Sequence, residues 1–84
     1  MKRFSFTDSA KADLRRIEKE EALVILKALA RFGREGAGDV KELVDDPQGR
    51  SRFRVGDWRV FFRFEVNNTI HVVGVENRKD AYHG

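Results

Sequence analysis

Six of the seven Lys/Arg residues in the stretch 48–84 are arginines: Arg50, Arg52, Arg54, Arg59, Arg63 and Arg78, with Lys79 the seventh. A guanidinium is a planar fork that matches two phosphate oxygens and keeps its charge at any physiological pH. This stretch holds only four Asp/Glu, whereas residues 1–47 balance ten Lys/Arg with ten Asp/Glu. The net charge of +3 therefore resides in the second part of the chain. An arginine cluster on one structural element is the signature of an anion site, and a nucleic-acid backbone is the natural ligand. The histidines and tyrosine available for proton transfer are His71, His83 and Tyr82. The chain has no cysteine, which excludes disulfides, a thiolate zinc site and a cysteine nucleophile and fits a reducing compartment. No compact His/Asp/Glu spacing reads as a metal site, so neither a metal nor another cofactor is expected.

The elements that must position these side chains follow from the apolar pattern. Eighty-four residues with 40% apolar and 37% charged content suit one soluble domain spanning 1–84. No apolar run approaches membrane-spanning length, and the basic start Met1-Lys2-Arg3 leads into no signal-peptide core. A cytoplasmic protein without a membrane partner is expected. Lys2 to Phe6 reads as a short strand with Phe4 and Phe6 on one face. Thr7-Asp8-Ser9 supplies N-cap chemistry. Ala10, Leu14 and Ile17, then Leu23, Ile25, Leu26, Leu29, Ala30 and Phe32, recur at helical spacing and predict helices over about 8–17 and 20–34. They form a hairpin, or one long bent helix. Gly33, Gly36 and Gly38 end the helical pattern. Residues 36–49 read as irregular, with Val40 and Leu43 tucked against the core and Pro47 marking a turn.

From Arg50 the period becomes two, predicting strands near 51–55, 58–66 and 69–75. Gly56-Asp57 suits a type II′ turn and Asn67-Asn68 a type I′ turn. The fold class is α+β: an N-terminal strand and a two-helix hairpin packed on one face of a small, mostly antiparallel four-stranded sheet. Two-residue turns set the register. Val55 faces Trp58, Arg54 faces Arg59, Phe53 faces Val60 and Arg52 faces Phe61. In the next hairpin Val60 faces Val75, Phe61 faces Gly74, Phe62 faces Val73, Arg63 faces Val72 and Phe64 faces His71. Phe53, Val55, Trp58, Val60, Phe62 and Phe64 then share the buried face, with His71 among them. Arg52, Arg54, Arg59, Phe61 and Arg63 share the open face. Arg54 opposite Arg59 is a like-charge pair, which is destabilising across strands. A bland reading solvates it, with Asp57 or Glu76 as counter-ion; the functional reading places an anion there. Phe61 offers a surface on which a base can stack, or simply packs against Gly74.

The run Arg52-Phe53-Arg54-Val55-Gly56-Asp57-Trp58-Arg59-Val60-Phe61-Phe62 resembles the central block of the RelE/ParE toxin superfamily. Val73-Gly74-Val75-Glu76-Asn77-Arg78-Lys79-Asp80-Ala81-Tyr82 is similar to its closing block, although Asn77 stands where a histidine commonly precedes the arginine. The opening Phe6 to Leu14 and Val40-Lys41-Glu42-Leu43 fit as well, so the likeness spans essentially the whole chain as a RelE/ParE-like domain. It implies a toxin of a type II toxin–antitoxin system, with a cognate antitoxin as partner. RelE-like members cleave mRNA in the ribosomal A site without metal; ParE-like members inhibit DNA gyrase. By position, the resemblance assigns Arg52, Arg54, Arg59, Arg78 and Tyr82 to catalysis. Arg50, Phe61, Arg63 and Lys79 are expected to contact nucleic acid.

RNA cleavage by the 2′-hydroxyl needs a base, stabilisation of a dianionic phosphorane and an acid for the 5′-oxygen. The register sends His71 to the core, and His83 is expected in solvent. That leaves arginine electrostatics and Tyr82, whose phenolate neighbouring arginines would favour. Tyr82 is then the expected base, with Arg54 or Arg78 supporting the leaving group. A gyrase inhibitor and a noncatalytic nucleic-acid-binding module remain the competing expectations.

Overall fold

A computed structural model describes residues 2–79 of the chain. The elements run β1 (Arg3–Phe6), α1 (Asp8–Arg16), α2 (Lys19–Glu35), β2 (Asp39–Glu42), β3 (Ser51–Val55), β4 (Trp58–Glu65) and β5 (Thr69–Asn77). The five strands form one sheet in the order β1-β5-β4-β3-β2. β1 runs parallel to β5, and every other pairing is antiparallel.

The helices start and stop where their termini are satisfied. Thr7 caps α1, its hydroxyl oxygen accepting from the Ala10 N–H at 3.0 Å. The same hydroxyl donates to the Val73 carbonyl at 3.2 Å, which fixes α1 to β5. Asp13, nearly two turns later, accepts from the Val75 N–H at 3.0 Å. α1 thus occupies the edge of β5 beyond the reach of β1. Ile17 is extended, with ψ at 144°, and separates the two helices. α2 ends at Gly36, whose φ of +70° is the left-handed conformation that favours glycine at a helix C-cap.

The core lies between the helices and one sheet face. It contains Ala10 from α1, Ile25, Leu29 and Phe32 from α2, and Phe53, Val60, Phe62, Ile70, Val72 and Val75 from the sheet. Ile25, Leu29 and Phe32 are spaced by four and three, a single helical stripe. Phe32 joins the layers, its ring centroid 5.2 Å from Phe53 and 5.6 Å from Phe62. Gly33 lets α2 approach β1, since a Cβ there would sit 2.8 Å from the Phe4 ring.

Two sequence expectations are corrected. The sheet has five strands, because Asp39–Glu42 pairs with β3 instead of lying in an irregular segment. Val40 is its one apolar residue and packs on the core opposite Phe53. A four-residue polar strand is held by backbone pairing, which leaves almost no period-two apolar signal. Secondly, the β4–β5 hairpin closes through three residues, with Glu65 opposite Thr69. That moves the turn-proximal half by one residue: Phe62 faces Val72, Arg63 faces His71 and Phe64 faces Ile70. An irregularity at Phe61/Phe62 leaves Val73 as the extra residue and restores the expected pairs Phe61–Gly74 and Val60–Val75. The shift buries Ile70 and Val72 completely, and it turns His71 away from the core. The first hairpin follows the expected register at every pair.

Candidate nucleic-acid interface

Strand alternation separates the two faces of β3 and β4. Phe53, Val60 and Phe62 are buried, while Arg52, Arg54, Arg59, Phe61 and Arg63 face away from the helices. Pairing then arranges this open face in rows. One row runs Asp39, Arg54, Arg59, Glu76 across β2, β3, β4 and β5. The next runs Lys41, Arg52, Phe61, Gly74. A third runs Arg63, His71, Ser5 across β4, β5 and β1. The like-charge pair Arg54–Arg59 is therefore flanked by a carboxylate on each side. Asp39 was not legible as one of them because its strand was not.

Arg52, Arg54, Arg59 and Arg78 line one concavity of about 220 Å³ together with the Gly56-Asp57 turn. Arg78 is brought there from the end of β5 by its N–H, which donates to the Asp57 carbonyl at 2.7 Å. Arg54 Nε lies 3.5 Å from the Gly56 carbonyl, a long contact that keeps its guanidinium beside the turn. Arg59 forms an ion pair with Glu76, its Nη2 2.8 Å from Oε1. Among the described residues, the Nε atoms of Arg52, Arg59 and Arg63 are shut off from solvent without a hydrogen-bond partner. A shielded donor without an acceptor costs free energy, so an anion arriving at this face gains more than one met in water.

The remaining candidates are placed differently. Arg50 is committed to Asp46, with Nη2 2.9 Å from Oδ1, and its guanidinium lies 4.9 Å from the centre of the Phe61 ring. Asp46 also accepts from the Arg50 and Gln48 backbone N–H groups. Hydrogen bonds from Arg50 hold the Asp46 carboxyl at a pKa of about 2 and raise that of Arg50. One face of Phe61 is thus covered by Arg50. Arg63 stands apart from the concavity, beside His71. The His71 ring accepts or donates through Nδ1 to Ser5 Oγ at 2.6 Å, with Glu65 Oε1 at 3.6 Å from the same nitrogen. The expectation that His71 points into the core is therefore wrong. Lys79 lines a separate hollow with Trp58, Asn77 and Val24. Tyr82 and His83 lie outside the described residues. No group of three or more His, Asp or Glu side chains among the described residues is arranged to hold a metal ion. No helix among them is long and apolar enough to cross a membrane.

With this geometry in hand, comparison identifies the class. The family model of the ParE toxin of type II toxin–antitoxin systems (parDE) matches residues 4–82, and the chain belongs to that family. It is a type II toxin of the RelE/ParE kind. No curated protein matches it significantly in sequence. Among solved structures, a chain of the Mycobacterium tuberculosis RelBE2 toxin–antitoxin complex is similar, with a TM-score of 0.79 at 23% identity. That match covers 92% of this chain and 98% of the other. A chain of the Methanococcus jannaschii RelB–RelE antitoxin–toxin complex gives 0.72 at 20% identity, covering 93% and 94% respectively. One from the Pyrococcus horikoshii RelE–RelB complex gives 0.74 at 19%, covering 92% and 94%. These likenesses establish the fold.

Proposed function

We propose that this toxin is an endoribonuclease that cleaves mRNA in the ribosomal A site through attack of the 2′-hydroxyl on its own phosphodiester. The observation that carries this reading is the convergence of Arg52, Arg54, Arg59 and Arg78 on one concavity. Four fixed positive charges oppose the charge that builds up on the phosphorane, which is where such a site contributes most to rate. Arginine cannot exchange protons at neutral pH, so the site needs a base from elsewhere, and Tyr82 is one candidate. With so little acid–base equipment, the enzyme depends on a partner that presents the message in line for attack; the ribosome fills that role. Arg63 extends the basic surface along which the strand would run, and Arg50 holds Phe61 at its margin, whereas Lys79 lies in its separate hollow beside α2. The structural neighbours from toxin–antitoxin complexes support a cognate antitoxin, whose acidic residues would neutralise the open face. The test is a translation reaction with purified ribosomes: mapped breaks within A-site codons are expected from the wild type and not from Arg59→Ala.

A second reading is inhibition of DNA gyrase by protein binding, and the match to the ParE toxin family favours it. Stalled gyrase–DNA complexes with intact mRNA would select it. Salt-sensitive RNA binding without either effect would leave a noncatalytic binding module.

A further inference from the structure

We infer that Glu76 is the general base of the RNA cleavage proposed above, and that proton uptake by its carboxylate releases Arg59 to the reacting phosphate. The inference rests on the endoribonuclease reading. Glu76 lines the adjoining hollow with Asp13, Arg16 and Trp58, and Asp57 lies in the concavity itself, but among the described residues Glu76 is the one carboxylate ion-paired with an arginine of the concavity, at 2.8 Å. Its side chain is 47% exposed, so a substrate can reach it, and the Arg59 guanidinium holds its orientation. The register makes the placement firm, because Glu76 sits directly opposite Arg59, which sits directly opposite Arg54. His71 is not an alternative for the same phosphate. It pairs with Arg63, four residues along β4 from Arg59 and so about 13 Å away at the usual strand rise.

The charge relation gives the pair a catalytic sense that a bare counter-ion lacks. In the resting site Glu76 neutralises Arg59. A bound phosphodiester carries one negative charge and shares Arg59 with that carboxylate. As the 2′-hydroxyl attacks, its proton passes to Glu76 and the O2′–P bond forms. Glu76 becomes neutral at the moment the phosphorane becomes dianionic, and the full charge of Arg59 then acts on the phosphorane. An interaction stronger in the transition state than in the ground state is the kind that raises kcat. The P–O5′ bond then breaks, and the leaving oxygen takes a proton from water. The hydroxide so formed is neutralised by the proton that Glu76 returns to solvent. The products are a 2′,3′-cyclic phosphate and a 5′-hydroxyl, with no net consumption of water.

The two roles of Glu76 predict opposite outcomes. Single-turnover cleavage is measured on ribosomes programmed with a defined mRNA, and affinity with the same message carrying a 2′-deoxy nucleotide at the cleavage position. For Glu76→Gln we expect cleavage lower by about 10²–10⁴-fold, the range for loss of a positioned base. Binding should be unchanged or tighter, and the acid limb of the pH–rate profile should vanish. A simple counter-ion would give tighter binding with cleavage kept within about threefold, and that result overturns the inference. So does a loss of the acid limb in Tyr82→Phe with Glu76→Gln unaffected. Glu76→Asp serves if Glu76→Gln does not fold: reduced cleavage with the acid limb retained supports the base, and a wild-type rate refutes it. If the wild type leaves the programmed message intact, the endoribonuclease reading itself falls, which is distinguishable from failure of Glu76 alone.

Discussion

Two arginine–carboxylate pairs lie in the same part of the molecule and have opposite characters. Arg50 and Asp46 are joined by several side-chain hydrogen bonds, reinforced by two backbone N–H groups and by the Phe61 ring. Arg59 and Glu76 meet through one contact of 2.8 Å, with the Glu76 side chain about half exposed. The first pair closes the loop between β2 and β3, and every acceptor position of its carboxylate has a donor to satisfy. The second leaves a guanidinium Nε without a partner and a carboxylate open to solvent. Multiple hydrogen bonds make an ion pair structural, whereas incomplete ones keep it exchangeable. The difference shows that charge alone does not distinguish the arginines of this face; saturation of their donors does.

The sharpest way to break this contrast is Arg59→Ala. We expect mRNA cleavage to fall by about 10²–10³-fold, as on removal of one group that stabilises transition-state charge. Thermal melting should stay near wild type, because Arg59 has a single exposed partner. Asp46→Ala should do the reverse. Its melting temperature should drop by several degrees while cleavage per folded molecule is retained, as read by calorimetry alongside the ribosome assay.

A pH titration sharpens the same point. The Asp46 carboxyl titrates at about 2 in the folded chain against an ordinary value of 3.8. Its depressed value means that its contribution to stability is complete above about pH 4 and is lost as pH falls toward 2. Urea midpoints should therefore fall across that window in the wild type, and by less in Asp46→Asn. The smallest expected effect is on binding. Arg52→Ala should reduce the slope of log affinity against log salt by about 0.7 for single-stranded RNA, the increment for one phosphate contact. An unchanged slope would remove Arg52 from the binding face.

Much of this was readable in the residues. The β3–β4 hairpin was legible because Phe53, Val60 and Phe62 alternate with arginines and the two-residue Gly56-Asp57 turn admits one register. The helices were legible because Thr7 caps one and Gly36 ends the other. β2 was hidden, since Asp39, Lys41 and Glu42 leave Val40 as its only apolar residue. The second hairpin misled because Asn67 and Asn68 both take positive φ, as in a two-residue turn, within a connection that is three residues long. Its bulge at Val73 cannot be read from period-two patterning, and that bulge decides where His71 points. The concavity was partly legible: alternation put Arg52, Arg54 and Arg59 on one face, but only the backbone contact between Arg78 and Asp57 brings the fourth arginine to it. Glu76 was visible as a counter-ion, and its exposure and single contact were not.

β1 has one neighbour in the sheet, β5, more than sixty positions further along the chain. α1 is tethered to that same strand through Thr7 and Asp13. The opening segment can pack on α2 through Phe4 and Gly33, but it has no strand partner until the closing segment has been made. Such long-range closure is slow. The segment that brings Arg78 to the other arginines is also the one that completes the sheet, so the arginine concavity assembles only together with the whole fold.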